Sequence, residues 1–324
     1  MMSLIEDGCL QQLNLQWRMD AKMSDILSMT KIGEISVIPK PSTISVTTDR
    51  EKQAQQMIPK IPKTINDIQL TLLKKVEIQK GKKRIAITGC TIMPSGKIVF
   101  VDQSNDRLVI HKDNGLFVCE SPVSHWPLDV TCIDENTVAV THNAEPYYIE
   151  IINIVKRKTV RQIKTSHQCY GITNEKGRLL YYEVGSGIQI ADVKSESTAT
   201  SVVKVDGKHG WNYVTTSKGK IYQTKNESGT VTCYTVTGHK VWEYKDESFF
   251  KSVRGVAVDN DSNVYVVCYW NDSIVVFSPD GKHVRRLLTN ENGIQDPFGI
   301  HFDKGRNILM VTNSCGPASL YEVK

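Results

Sequence analysis

Six copies of one short pattern fill the chain from Cys90 to its last residue, Lys324. Each copy opens on a strand of small residues, turns, and runs on through a β-branched strand, a polar loop and a further strand. Aligned, they put Cys90, Asp129, Gly171, Tyr213, Gly255 and Gly299 in equivalent places, 39, 42, 42, 42 and 44 residues apart. Self-similarity at about this period marks a repeat architecture in which one copy cannot bury its apolar faces alone and must stack on its neighbours.

The fifth copy shows four strands, RGVAVDN, NVYVVCY, SIVVFSP and HVRRLLT, with Asp280 and Gly281 between the last two as a tight hairpin signal. The sixth copy holds only three, FGIHFD, NILMVTN and ASLYEV, before the chain ends. Over 68–78, Ile68, Leu70, Leu72, Val76 and Ile78 fall on one side, with Gln69, Thr71, Lys75, Glu77 and Gln79 on the other. That alternation predicts a half-buried strand, and it supplies the missing fourth. Pairing the first strand with the last three closes a ring and covers its open edges. The expected fold is all-β: a six-bladed β-propeller over 67–324, closed by this N-terminal strand.

Upstream, Leu10, Leu13, Trp17 and Ala21 recur at spacings of three and four, drifting to Met23, Ile26 and Leu27. They predict an α-helix over 4–28, ended by Gly33, within an N-terminal segment 1–30. With no partner in the next 40 residues, the stripe is expected to be the end of a coiled coil, pairing the chain with itself or a relative, in preference to docking on its own domain. Residues 31–66 carry Pro39, Pro41, Pro59 and Pro62 among Ser, Thr, Lys and Gln, and read as an irregular linker.

Residues 31–90 carry twelve bases and five acids, whereas 91–324 carry 26 of each. The basic excess is therefore assigned to the connecting segment and not to the repeats. No stretch approaches the 18 to 20 continuous apolar residues or so that a membrane span needs. The N-terminus lacks an apolar secretory core, so a cytoplasmic location is expected. Eight scattered cysteines without a CxxC predict reduced, buried thiols in place of disulfides or a zinc framework.

Residues 255–259 (GVAVD), 263–267 (NVYVV), 274–277 (IVVF), 279–281 (PDG) and 297–299 (PFG) resemble the NHL-repeat class of six-bladed propeller. They match its Gly-bearing inner strand, Tyr-bearing second strand and Asp-Gly hairpin; repeats two to four are degenerate. The segments WRMD (17–20), DIL (25–27) and GEI (33–35), with the Lys-rich stretch after them, look like the C-terminal half of tripartite-motif NHL proteins. Those proteins place a RING and B-boxes first, and many are ubiquitin ligases. No zinc-ligand spacing occurs here, so ligase activity is not expected of this chain, which resembles a truncated member.

In such a propeller, the loops before the inner strands and between strands two and three share one face, where function resides. Those loops are aromatic here: His125 and Trp126, His167 and Tyr170, His209 and Trp211, Phe249 to Lys251 with Arg254, and Phe298. The loops between strands two and three add Arg107, Tyr147 and Trp270. The bland reading is that these rings cap the blades. The functional reading is a recognition face of Trp126, Tyr170, Trp211, Lys251, Arg254, Trp270, Phe298, Arg107 and Tyr147 for a polypeptide or unstacked nucleotides. A neutral repeat domain favours protein over RNA, because phosphate neutralisation supplies much of RNA affinity. Clustering of Lys251, Arg254, Arg107 and Lys208 would reverse that order.

His125, His167 and His209 recur 42 residues apart, and three imidazoles near a channel suit zinc. An NHL-like lyase resembles that arrangement, so a metal-dependent lyase or hydrolase is the alternative. Drift from one ancestral His is the simpler account, and neither metal nor cofactor is expected. Residues 259–263 (DNDSN) open like a calcium loop but lack its Gly and Glu, so a turn is expected. No Gly-x-Ser-x-Gly elbow or phosphate loop occurs. The expected function is a non-catalytic recognition module.

Overall fold

The computed structural model describes residues 64–324, apart from 196–198, 205–209, 247–249 and 251, together with the strands Gln12–Arg18 and Glu34–Lys40. The chain divides into two compact units, Met1–Ile61 and Pro62–Lys324.

In the larger unit, six four-stranded antiparallel sheets follow one another along the chain. The inner strands of blades one to six are Ile87–Ile92, Pro127–Cys132, Cys169–Glu175, Tyr213–Ser217, Val253–Val258 and Pro297–Asp303. Each inner strand lies against the next, and the sixth lies against the first, so the sheets form a closed six-bladed β-propeller. The fourth strand of blade six is Leu70–Val76. It pairs antiparallel with Ala318–Val323, placing Val76 opposite Ala318 and Leu70 opposite Val323.

Hydrophobic burial explains why the sheets adhere. Six clusters of buried apolar side chains occur, and each belongs to one junction between neighbouring blades. Phe100, Val109 and Met310 join blades six and one; Val101, Val138 and Ile152 join one and two. Ala139 and Tyr181 join two and three, and Tyr182 and Ile221 join three and four. Tyr222 and Phe277 join four and five, and Tyr265 and Leu309 join five and six. Second and third strands therefore bury residues of both parities, as in Ile98–Asp102 and Ser273–Phe277, where every residue is buried. Such strands read as continuous β-branched runs because both faces of the sheet are covered.

The repeated small residue has a steric cause. A Cβ on Gly171 would meet the Tyr213 backbone of the next inner strand, and one on Gly299 would come within 3.2 Å of Cys90 Sγ. In five of the six inner strands a β-bulge falls at or just before this position, for example between Val253 and Val256.

Two expectations need correction. Gln12–Arg18 is a strand, not part of a helix over 4–28. It pairs antiparallel with Glu34–Lys40, which lies inside the segment expected to be irregular. Leu13, Leu15 and Trp17 alternate with Gln12, Asn14, Gln16 and Arg18, so the period-two reading competes with the helical one over these residues. The register sets Leu13 opposite Pro39, Leu15 opposite Val37 and Trp17 opposite Ile35. The rest of 4–28 and of the linker to residue 63 lies outside the described residues. The coiled-coil pairing rested on the helical stripe and loses its basis over this strand.

Charge is the second correction. Lys74, Lys75, Lys80, Lys82, Lys83 and Arg84 belong to the propeller unit, opposed between 64 and 90 only by Asp67 and Glu77. The larger unit is therefore basic overall. Lys80, Lys82, Lys83 and Arg84 are exposed in the loop that leads into the first inner strand.

Seven cysteines are described and all are free thiols; Cys90, Cys169, Cys233 and Cys268 are buried, while Cys315 is exposed. No described helix is long and apolar enough to cross a membrane. The DNDS segment is a turn: Asp259 Oδ1 accepts the Asp261 and Asn263 amides at 2.9 and 2.8 Å.

Phe277 is fully buried between blades four and five, stacked on Phe250 and Trp242 at 5.6 and 6.0 Å. Phe277→Ala is expected to cost about 3–5 kcal/mol, read as a lowered midpoint of urea unfolding. A conservative Phe277→Leu is expected to cost much less.

Candidate recognition face and channel

The loops that enter the inner strands are pegged by polar side chains from the strands and loops beside them. Asp102 Oδ1 accepts the Ala86 amide at 3.1 Å, and Glu150 Oε2 accepts the Ser124 amide at 3.0 Å. Glu183 Oε1 takes both the Ser166 and His167 amides, at 2.6 and 2.9 Å. Asp106 and Asp272 reach across to the next blade, accepting the amides of Trp126 and Asp296 at 2.9 and 2.7 Å. These bonds hold Trp126 and Asp296 at φ values of 59° and 44°, in the left-handed region that costs a side chain energy. The described loops entering blades one, two, three and six are thus fixed by the scaffold.

On this framework four blades contribute to one cluster. Tyr170 from blade three lies 5.6 Å from Trp211 of blade four, and Trp211 lies 5.2 Å from Phe298 of blade six. Phe298 meets Tyr269 of blade five at 5.7 Å, and Tyr269 meets Trp270 at 6.0 Å. Arg254 lies within this cluster, its guanidinium carbon 5.0–5.3 Å from the ring centres of Phe298, Trp211 and Tyr269. The Tyr170 ring packs where a Cβ on Gly210 would stand, so a larger residue before Trp211 would have to displace that ring. Trp270 is 72 % exposed, far beyond what a ring that merely caps a blade requires.

The other sequence-derived residues fall elsewhere. Trp126 is 49 % exposed and its ring lies 5.7 Å from that of His125, tilted by 58°, in a separate patch between blades one and two. Tyr147 bonds Glu145 through its hydroxyl at 3.1 Å, outside the cluster. Arg107 is buried, ion-paired to Asp102 at 2.9 Å and to Glu120, and donates to the Gln79 carbonyl at 2.6 Å, so its charge is neutralised internally. Lys251 and Lys208 lie outside the described residues. Tyr269, absent from the candidate set, bridges Phe298, Trp270 and Arg254. Its aromatic neighbour Trp270 is the signal that marks it.

His125 Nδ1 is 2.7 Å from Asp106 Oδ2, whereas His167 is held through its backbone. His209 is outside the described residues. Among the described residues no three His, Cys, Asp or Glu side chains are grouped to hold a metal ion.

The channel is a second feature. A cavity of ≈ 310 Å³ runs from Cys90, Asp129 and Tyr213 to Glu175, Lys218 and Lys304 at the far ends of the inner strands. Tyr213 spans the ring, its hydroxyl donating to the Thr88 carbonyl of the opposite blade at 2.9 Å. Thr88 is the bulge residue left out of the ladder between the first two strands, so its carbonyl needs this partner. Burial pushes the Asp129 carboxyl up to about 7, although the Ile172 and Val130 amides donate to it at 3.0 and 2.9 Å. Burial also lowers His301 to about 4 and raises the Cys90 thiol well above its ordinary value. The channel therefore favours neutral side chains, and Cys90 is not activated as a nucleophile.

No family model matches the sequence, and no curated protein matches it. Solved structures match the fold. A protein of unknown function from Bacteroides thetaiotaomicron is 12 % identical, with a TM-score of 0.64, over 79 % of this chain and 76 % of that one. Virginiamycin B lyase from Staphylococcus aureus is 15 % identical, with a TM-score of 0.57, over 79 % of this chain and 99 % of the enzyme. The Cps50 (Swd1) β-propeller domain of Myceliophteria thermophila is 9 % identical, with a TM-score of 0.57, over 79 % and 100 %. At these identities the likeness is one of fold, and it spans both an enzyme and a propeller domain.

One pH dependence follows from the loop pegs. Burial pushes Glu150 upward, but the nearby His142 ring and the bonds from Thr159 and the Ser124 amide outweigh it and hold the carboxyl at about 2. His142 Nε2 is 3.1 Å away, close enough for an ion pair though poorly aligned for a hydrogen bond. A depressed carboxyl stabilises the fold above its unfolded value and loses that contribution as pH falls. Stability should therefore drop between pH 4.5 and 2, and Glu150→Gln should flatten that limb in acid unfolding followed by near-UV circular dichroism.

Proposed function

We propose that the propeller is a non-catalytic recognition module of NHL type, and that it binds a protein partner on the face carrying Tyr170, Trp211, Arg254, Tyr269, Trp270 and Phe298. One observation carries the reading: rings from four blades converge in one cluster, with Trp270 72 % exposed at the rim. Rigid aromatic side chains offer large contact area at small entropic cost, which is why Trp and Tyr dominate binding hot spots. The motifs at 255–259, 263–267 and 279–281 support the NHL assignment. The inactive setting of Cys90 and the scattered histidines favour binding over chemistry.

Protein stands ahead of RNA because Arg107 is neutralised internally and Arg254 is enclosed by rings, which leaves the cluster without a track of cations among the described residues. A specific observation supports RNA as the second reading: Lys80, Lys82, Lys83 and Arg84 are exposed on a loop that also enters an inner strand.

Trp270→Ala and Trp126→Ala separate the two aromatic patches. In affinity capture with quantitative mass spectrometry, Trp270→Ala is expected to lose partners at least tenfold while Trp126→Ala retains them. Unchanged capture by both variants would remove this face as the binding site. Crosslinking of single-stranded RNA that falls with Trp270→Ala would promote the second reading.

A further inference from the structure

A guanidinium keeps its charge at any physiological pH, so burying one calls for an anion and for acceptors to its five N–H groups. The described residues satisfy this elsewhere. Arg107 has two carboxylates and a carbonyl, and Arg285 donates to the carbonyls of Ile65, Asn66 and Ile68 at 2.7–3.1 Å. Arg254 is the contrast. Its Nε and Nη1 are shielded from solvent and have no hydrogen-bond partner among the described residues. Its neighbours are the faces of Trp211, Tyr269 and Phe298, with the neutral phenols of Tyr213 and Tyr269 nearby in place of a carboxylate. Ring faces attract a cation but accept none of its hydrogen bonds. The side chain is nonetheless partly exposed, at the start of an inner strand and on the same face as the exposed Trp270.

From this orphaned cation in an aromatic frame we infer that Arg254 receives the carboxylate of an acidic side chain on an extended segment of a protein partner. The inference rests on the recognition reading of this face and names its ligand. A planar carboxylate fits the guanidinium fork, and the three rings exclude water and strengthen the pair. The surrounding charge favours a polypeptide over a nucleic-acid strand. Asp272 and Asp296 lie beside Tyr269, so a continuous line of phosphates leaving Arg254 would meet two carboxylates. A single acidic residue flanked by apolar ones meets Arg254 and the rings only. Further acids along the same segment would be drawn to Lys80, Lys82, Lys83 and Arg84 in the loop entering blade one.

The test uses the full chain and two random pentapeptide libraries that differ only in a central Glu or Gln, with bound peptides counted by mass spectrometry. The chain is expected to retain the Glu library at least tenfold over the Gln library. Arg254→Met, which keeps the stem length without the charge, is expected to abolish the preference, and Arg254→Lys to keep part of it. Circular dichroism of both variants reports their folding. Equal retention of the two libraries, with both reduced by Trp270→Ala, overturns the carboxylate site and leaves the recognition face standing. Retention of neither library, with Trp270→Ala also without effect on captured partners, removes both. A random single-stranded RNA retained through Arg254 in place of the Glu library assigns the cation to phosphate and overturns the peptide inference.

Discussion

Every sheet of the propeller unit has two apolar faces and no means of burying either one by itself. That constraint produces the ring. A blade borrows half of each core from its neighbours, and six shared clusters result, one for each junction. An open row of blades would leave two faces wet. At about 25 cal/mol for each Å² of apolar surface, such exposure would outweigh most single interactions in the molecule. Contact between the sixth inner strand and the first removes both wet faces together. The same closure forces the inner strands close to one another, which is why small residues recur where Gly171 faces Tyr213 and Gly299 faces Cys90.

The ring also divides labour between its regions. Apolar pressure is taken up between blades, so the loops are free to carry polar pegs and exposed rings. Asp102, Asp106, Glu150, Glu183 and Asp272 each fix a loop amide at the entrance to an inner strand. Tyr213 braces the channel from the opposite blade. A face fixed in this way can present Tyr170, Trp211, Tyr269, Trp270 and Phe298 with little ordering left to do on binding, which is the physical advantage of preorganisation. Arg254 fits that picture as a group held ready and incomplete.

Much of this was legible in the sequence because the repeat recurs with strict strand grammar. The small residue, the β-branched run and the Asp-Gly hairpin each state a local requirement, and they agree with one another. The N-terminal strands were not legible for a comparable reason. Leu13 and Trp17 satisfy the helical spacing, yet Leu13, Leu15 and Trp17 also satisfy alternation, and only pairing with Glu34–Lys40 decides between them. At the face, the position of Tyr170, Trp211 and Phe298 at or just before the starts of inner strands was readable, because topology gathers those ends. Their contact with Arg254 was not, since it depends on side-chain direction across three blades. Arg107 was misplaced because its partners, Asp102 and Glu120, sit on neighbouring strands. The charge balance misled for a simpler reason: the boundary drawn at residue 90 cut off the basic loop at 80–84, which belongs to the propeller unit.

Amide hydrogen exchange across the sixth blade tests the closed ring most directly. In the ring described here, the amides of Leu70–Val76 and Ala318–Val323 share one ladder. The amides of Leu70–Val76 that point into this ladder should be protected, and should lose that protection together with Ala318–Val323 as denaturant is raised. Rapid exchange throughout Leu70–Val76 beside a protected Ala318–Val323 would contradict the account, for it would leave the sixth blade with three strands and an open edge.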